Sequence, residues 1–478
     1  MKASGDPDER ALPIRFGTSG WRGVLGEEFT FERVRAVVAA AADRIAAARP
    51  GARVFVAHDR RFLGPRLAET AVRVLAGRGL RPLAARGPIP TPVLASAVRR
   101  SRAAAGLIFT ASHNPPEYQG LKLFGPTGAG WDEAETHALE RAAARWLRAG
   151  PPPERAVRKK PVDLVSPYLA ALLAILDRGA LRRSRLQVVY DAMHGTGAGV
   201  VDEALRRVGV AVATLRAEAD PNFGGAAPDP LPERLGALCA AVRRLRGPAI
   251  GIASDGDADR FAVVDAGGRV LSETDAVALL VDHLARTGRV HRGVAVSCAT
   301  GGLVERVARD HGLALSFHPL GFKHLSGALL AGEADVAGEE SGGFAWAPFA
   351  HDKDGVLAAC LMAEFVVASG ETLRQRLRTL EKRLGASASG RTAVPATDAA
   401  RAALASLAAS PPDRVGRCRV RGAVVCDGVR LALDDGFLML RASGTEPLLR
   451  VYADGPTPDA LRRRLQAGIR LLRRRIRG

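Results

Sequence analysis

Three aspartates alternate in the stretch Asp255-Gly256-Asp257-Ala258-Asp259-Arg260, immediately after the apolar run Ala249 to Ala253. Carboxylates this crowded repel one another unless positive charge sits among them. An extended loop points alternate side chains the same way, so the three can share one hard cation if flanking strands make them converge. The feature therefore asks for a sheet with a loop at the end of a strand. A second stretch, Thr110-Ala111-Ser112-His113-Asn114-Pro115, places a hydroxyl on a tight turn after another apolar run, Ala105 to Phe109. Read together, the two suggest a serine that carries a phosphate and a divalent cation that holds it, hence phosphoryl transfer.

A chain of 478 residues is too long for one core, and about three or four domains are expected. Its 47% hydrophobic and 25% charged content is that of a soluble globular protein. No apolar stretch reaches the roughly 18 residues of a membrane span, and Met1 to Arg10 has no apolar signal core, so neither membrane nor secretion is expected. Five scattered cysteines, with no Cys-x-x-Cys pair, argue for a reducing, cytoplasmic compartment.

Helix-period and short apolar runs alternate along the chain, the pattern of α/β layers. Helices are expected over Phe31–Ala48, Pro65–Gly77, Gly199–Val208 and Leu303–His311, and strands over Arg53–Ala57, Leu186–Tyr190, Ala211–Leu215, Val294–Ser297 and Ala314–Phe317. Pro151-Pro152-Pro153 and Arg158-Lys159-Lys160-Pro161 read as a first linker. A hairpin from Phe261 to Leu271, turning at Gly267-Gly268, precedes a second boundary, and Gly385 to Arg391 marks a third. The tail from Thr392 is a small α+β unit closing on a basic helix, Pro458 to Arg477, read as a solvated face.

The formal charge of +19 has two readings: a phosphate-rich partner, or compositional drift toward Arg. With aromatics at 5%, no basic–aromatic interleaving and no zinc-finger or helix-turn-helix spacing, drift accounts for most of it and no nucleic-acid partner is expected. Only seven lysines occur, so Lys122, Lys323 and Lys353, all inside motifs, stand out.

The acidic stretch is not an EF-hand, because Arg260 takes the place of the turn glycine and Ala266 that of the bidentate glutamate. Three carboxylates suit Mg²⁺. Ser112 lacks the Gly-x-Ser-x-Gly surroundings of a hydrolase nucleophile. His113 is adjacent in sequence, which argues that its ring faces away from the Ser112 hydroxyl. Taken alone, Ser112 reads as an ST-turn residue before Asn114-Pro115.

Six motifs in one order remove that ambiguity. They are Phe16-Gly17-Thr18-Ser19-Gly20-Trp21-Arg22-Gly23; Thr110 to Pro115 with Lys122; Asp191-Ala192-Met193-His194-Gly195; Asp255 to Arg260; Gly338-Glu339-Glu340-Ser341-Gly342-Gly343; and Arg441-Ala442-Ser443-Gly444-Thr445-Glu446-Pro447. In these the chain resembles the α-D-phosphohexomutase superfamily, of the phosphoglucomutase/phosphomannomutase type, across almost its whole length. The resemblance implies three similar α/β domains with mixed sheets and a smaller C-terminal α+β domain around a central cleft. Their expected bounds are residues 1–157 with the phosphoserine loop, 158–265 with the metal loop, 266–386 with a sugar-recognition loop and 387–478 with a phosphate-binding loop.

The resemblance also implies roles. Ser112 would be the phosphoserine and, with Asp255, Asp257 and Asp259, a ligand of Mg²⁺. Lys122 would be the general acid/base for the sugar hydroxyl, tuned toward neutrality by nearby cations and partial burial. Arg22, His113 and Arg260 would complete the catalytic group, the arginines as forked donors. Glu339 and Ser341 would read sugar O3 and O4, with Lys323, His351 and Lys353 lining the same cleft. Arg441, Ser443, Gly444, Thr445 and Arg450 would grip the phosphate that is not reacting. The activity implied is an isomerase interconverting hexose 1-phosphate and hexose 6-phosphate, of glucose or mannose, through a hexose 1,6-bisphosphate, in a monomer or dimer whose partners are small sugar phosphates. A phosphoglucosamine mutase and a metal-dependent sugar phosphatase are the alternatives. The chain departs from the family at Gln119, where Asn is frequent, at His318, where Thr is common, and at Gly343, where several relatives carry His.

Overall fold

The computed structural model describes residues 13–150, 152–157, 160–443 and 447–477. Three α/β units follow one another, and each repeats one topology. The first contains β1 (Phe16–Gly17), β2 (Gly20–Val24), β3 (Arg53–His58), β4 (Arg81–Ala84), β5 (Ala105–Phe109) and β6 (Tyr118–Phe124), in sheet order β1-β2-β6-β5-β3-β4. The second contains β7 (Gln187–Asp191), β8 (Ala211–Leu215), β9 (Ala249–Ser254) and β10 (Phe261–Val264), in order β10-β9-β7-β8. The third contains β11 (Gly293–Ser297), β12 (Ala314–His318), β13 (Val336–Gly338) and β14 (Phe344–Trp346), in order β12-β11-β13-β14.

In each unit the βαβαβ core places its first strand between the second and third, parallel to both, and a fourth strand runs antiparallel to the third. The loop leaving the third strand is residues 110–117 in the first unit, 255–260 in the second and 339–343 in the third. The phosphoserine, metal and sugar motifs therefore occupy the same topological position three times. Parallel strands joined by helices are covered on both faces, which is why β5 and β9 are buried throughout.

The fourth unit is an antiparallel sheet of β15 (Ala388–Pro395), β16 (Arg414–Val415), β17 (Cys418–Val425), β18 (Val429–Leu433), β19 (Gly436–Ala442) and β20 (Leu448–Gly455), in order β15-β20-β19-β18-β17-β16. The helix Pro458–Arg477 packs its Ala467 and Leu472 against this sheet. Its Arg464 is buried, against the Asp435 carboxylate and the Asp454 carbonyl, so the basic face is not wholly solvated.

Several expected bounds shift for local reasons. The helix after Gly199 starts only at Val201, because Gly199 is left-handed with φ of 82°. Phe261 to Leu271 turns back at Gly267-Gly268 as expected: the Asp265 N–H donates to the Arg269 carbonyl and the Leu271 N–H to the Val263 carbonyl, both at 2.9 Å, around the Val264–Val270 bridge. Its return arm is short, and the first arm, β10, pairs along its whole length with β9 on the other edge. The first linker is tied down: Glu154 bridges Arg35 and Arg73, and Arg155 N–H donates to the Arg73 carbonyl at 3.0 Å. Pro151, Arg158 and Lys159 lie outside the described residues. Half of the stretch Gly385 to Arg391 is already strand β15. Among the described residues no single helix is long and apolar enough to cross a membrane.

One continuous apolar core joins one face of the first unit to the second and third, and the apolar helix Gly355–Ser369 runs through it. The C-terminal sheet has a separate core. Two unfolding transitions should follow. Leu361→Ala should lower only the larger and Leu431→Ala only the smaller, each by about 2–5 kcal/mol, read by calorimetry.

Candidate functional site

The Ser112 loop is built around a buried arginine. Arg61, just past the end of β3, donates to the carbonyls of Ser112 (2.8 Å), Asn114 (2.5 Å), Pro115 (2.7 Å) and Tyr118 (3.0 Å). Its own charge rests against Asp59 at 3.3 Å and the Phe223 ring at 4.9 Å. Four carbonyls turned inward fix the loop, and Ser112 takes the left-handed conformation, φ 53°. Thr110 Oγ1 accepts the Ser112 N–H at 2.9 Å. Neither Arg61 nor Asp59 stands out in the sequence, since a buried arginine looks like any other in an arginine-rich chain. Their position just past an apolar strand is the only signal.

The metal loop meets this loop directly. The Ser112 hydroxyl donates to Asp255 Oδ2 at 2.6 Å. A Cβ on Gly256 would lie 2.6 Å from the Ser112 carbonyl oxygen, so only glycine allows the approach. Asp255, Asp257 and Asp259 are all buried and offer oxygens within 4.8 Å of one another, a group able to hold a metal ion. Asp257 Oδ1 and Asp259 Oδ1 are buried acceptors without a hydrogen-bond partner, as a hard cation would require.

Positive charge converges on the triplet from other units. Lys122 of β6 lies 2.6 Å from both Asp257 Oδ2 and Asp259 Oδ2, and Lys353 lies 3.3 Å from Asp259. Thr91 also donates to Asp257, a contact not expected from the sequence. Burial, reinforced by Asp259 and Asp257, pushes the Asp255 carboxyl well above its usual range. Burial acts the same way on Asp259, but Lys122, Lys353 and Arg260 outweigh it and hold that carboxyl down. For Lys122, burial alone would lower the ammonium, yet Asp257 and Asp259 raise it. These two carboxylates act against the expected tuning toward neutrality.

His113 Nδ1 lies 3.4 Å from the Ser112 Oγ, so the ring does face the hydroxyl, contrary to expectation. The left-handed turn at Ser112 is a conformation that sequence adjacency does not convey. Burial and the cations Arg260, Arg22 and Lys353 hold His113 well below the usual histidine range, so it is neutral. Arg22, on β2, donates to Asn114 Oδ1 at 2.5 Å. Arg260 bridges to Gly343 of the third unit and is raised, burial being outweighed by Asp259 and Glu339.

Glu339 is buried, accepts from Ser341 Oγ at 2.6 Å and lies 3.9 Å from Lys353 Nζ. A Cβ on Gly343 would come within 2.7 Å of Glu339 Oε1 and 2.6 Å of Lys353 Cδ, so a side chain there would move both. Arg441 of β19 sits beside Arg450 of β20 and donates to Asp427 at 2.5 Å. Gly444 and Thr445 lie outside the described residues. A cleft of about 560 Å³ is lined together by His113, Arg260, Glu339, Ser341, Arg441, Ser443 and Arg450. Lys323 instead faces a smaller cavity beside Lys122 and pairs with Glu133 at 3.2 Å. His351 turns away, its Nδ1 3.0 Å from the Thr127 carbonyl, so it does not line the cleft. Gln119 of β6 donates from Nε2 to the Phe62 carbonyl at 3.1 Å, and His318 contacts Ser316 at 2.8 Å.

The chain matches the sequence profiles of phosphoglucomutase/phosphomannomutase, alpha/beta/alpha domain I over residues 13–148, domain II over 166–268, domain III over 273–384 and the C-terminal domain over 392–472. It is 30% identical to a phosphoglucomutase/phosphomannomutase of Thermococcus kodakarensis, covering 97% of this chain and 99% of that protein. It is 31% identical to a phosphoglucosamine mutase of Frankia alni, covering 94% and 95%. A crystal structure of a candidate phosphomannomutase from Thermus thermophilus superposes with TM-score 0.83 at 33% identity, covering 97% of this chain and all of that one.

Removing the Arg61 side chain leaves the buried Asp59 carboxylate without its cation and takes a buried donor from four loop carbonyls. Arg61→Ala should therefore lower stability by about 3–5 kcal/mol in denaturant titration. Arg61→Lys should recover only part of this, since an ammonium cannot reproduce the fork.

Proposed function

Because this chain belongs to the phosphoglucomutase/phosphomannomutase family, we propose that it interconverts the 1-phosphate and 6-phosphate of glucose, mannose or both through phospho-Ser112 and a bound hexose 1,6-bisphosphate. The observation that carries the reading is the 2.6 Å contact of the Ser112 hydroxyl with Asp255, at the meeting point of two loops from different units.

In the first half-reaction the bond from phosphorus to the Ser112 oxygen breaks as one forms to the free sugar hydroxyl. The hydroxyl proton passes through Lys122 to the Ser112 oxygen. Lys122, charged at rest, gives its proton to the leaving serine oxygen and takes the one released by the sugar. The bisphosphate then turns around in the cleft, and the Ser112 oxygen takes the other phosphoryl group while the proton returns to the sugar. Asp255, Asp257 and Asp259 would hold Mg²⁺, whose chemistry when bound is to polarise the phosphoryl oxygens and offset their charge. Arg260 and Arg22 bring further donors to the same charge.

Glu339 and Ser341 bind two vicinal hydroxyls, which either orientation of the ring can present. Arg441, Ser443 and Arg450 hold the distal phosphate across the cleft, with Gly444 and Thr445 completing that loop. The C-terminal unit closes on the substrate, hinged near Gly385 to Arg391, and closure keeps water from phospho-Ser112. The burial of Ser112 supports transfer to a sugar over transfer to water, the sugar-phosphatase alternative. A loop that reads O3 and O4 is blind to C2, where glucose, mannose and glucosamine differ, so phosphoglucosamine mutase activity is the second reading; relatives of that name match the chain at similar identity.

Ser112→Ala should abolish turnover with the fold intact, and the phosphate found on the active protein by intact mass should be absent from the variant. Full turnover in Ser112→Ala would reject the nucleophile. Activity should disappear on chelation and return with Mg²⁺, and Asp257→Asn should lower both metal affinity and rate by about 10- to 100-fold or more. Glucose 1-phosphate, mannose 1-phosphate and glucosamine 1-phosphate, assayed side by side, should rank the first two above the third. Free phosphate as the main product would favour the phosphatase.

A further inference from the structure

Three arginines share one face of the C-terminal sheet. Arg441 of β19 stands opposite Arg450 of β20, and Arg450 stands opposite Ala393 of β15. Residues opposite one another on antiparallel strands point to the same face, as do residues two apart along one strand. Arg391, two residues before Ala393, is therefore on the face of Arg441 and Arg450, diagonal to Arg450. Diagonal neighbours lie about 7–8 Å apart, within reach of long side chains. This face looks toward the third unit: Tyr452, the register partner of Arg391, packs with Leu320. The other face carries Leu438, Leu440 and Val451 into the sheet's own core.

Arg391, Arg441 and Arg450 all line the cleft that Glu339 and Ser341 line, and Arg391 is exposed there. By contrast, Arg430 of the same sheet is buried, donates to the Cys298 carbonyl at 2.6 Å and lies 3.5 Å from Glu305, and Arg421 pairs with Asp434. Like charges crowded on one face repel unless an anion sits among them. Asp427 answers Arg441 at 2.5 Å. Arg441, Arg450 and Asp427 together bring at most one net positive charge, whereas a phosphate monoester carries about two negative charges at pH 7. Arg391 supplies the difference. Asp229, in the loop after β8, and Glu340 of the third unit line the same cleft. Burial raises both carboxyls, and Arg391 is among the groups that oppose it.

We propose that Arg391 is a third arginine of the phosphate grip, a substrate-binding residue that holds the distal phosphate of the hexose phosphate together with Arg441 and Arg450. The proposal rests on the mutase reading above. A guanidinium presents two parallel N–H donors to phosphate oxygens. The distal phosphate does not react in the half-reaction during which it is gripped. Holding it stabilises ground state and transition state alike, so Arg391 acts on KM and not on kcat. Carried on β15 of the same sheet, Arg391 keeps its place beside Arg441 and Arg450 when the C-terminal unit closes.

The test pairs steady-state rates on glucose 1-phosphate with calorimetric titration of glucose 1-phosphate into full-length Ser112→Ala protein, where no transfer occurs. Arg391→Ala should raise KM by about tenfold with little change in kcat or melting temperature. In the Ser112→Ala background it should weaken binding by about the same factor. Arg391→Lys should recover part of the loss, having the charge without the fork. Arg462→Ala removes an equal charge from an exposed position on the helix Pro458–Arg477 and should leave KM alone. An unchanged KM in Arg391→Ala, a fall in kcat in place of affinity, or an equal rise in Arg462→Ala would overturn the proposal. Arg441→Ala tells the two possible failures apart. If it weakens binding while Arg391→Ala does not, the mutase reading stands and Arg391 has no part in the grip. If neither variant weakens binding, the distal-phosphate grip itself falls, and Arg391 with it.

Discussion

The site is organised by the repulsion among Asp255, Asp257 and Asp259. One loop cannot neutralise three buried carboxylates from its own residues, and the chain answers with Lys122 from the first unit and Lys353 from beside the third. Those ion pairs bind the units together through the place where charge must later be handled. The same pairs raise Lys122 and hold Asp259 down, while Asp255, buried beside two other carboxylates, is pushed up. Two carboxylate oxygens of the group still have no partner, so the neutralisation is incomplete and leaves a cation its place.

The repeated topology supplies the geometry. Each unit ends its third strand with a loop before an antiparallel fourth, and the three loops carry a hydroxyl, a set of carboxylates and a glutamate–serine pair. One fold solution thus brings three different chemistries to one meeting point, and His113, Arg260 and Glu339 of the three loops line one cleft. Glycines at the contact points, Gly256 above all, let loops from different units approach within backbone distance.

Much of this was legible in the residues. The strand runs before Ser112 and Asp255 and the alternation of aspartates are local signals, and local signals survive folding. The helix Phe31–Ala48 and the strand Ala211–Leu215 matched their expected bounds for the same reason. What was not legible depends on contacts between distant segments. Arg61 is an ordinary arginine until four carbonyls surround it, and Thr91 an ordinary threonine until Asp257 reaches it. His351, close in sequence to Lys353, shares its loop but not its direction.

The central claim is that a phosphoryl group passes between Ser112 and the sugar. It is tested most directly by loading the protein with hexose 1,6-bisphosphate labelled in its phosphoryl groups and locating the label before and after unlabelled sugar 1-phosphate is added. The account predicts label on Ser112 that moves into hexose bisphosphate and monophosphate with little release as free phosphate. Label at any other residue, or label on Ser112 that leaves only as free phosphate, would contradict it.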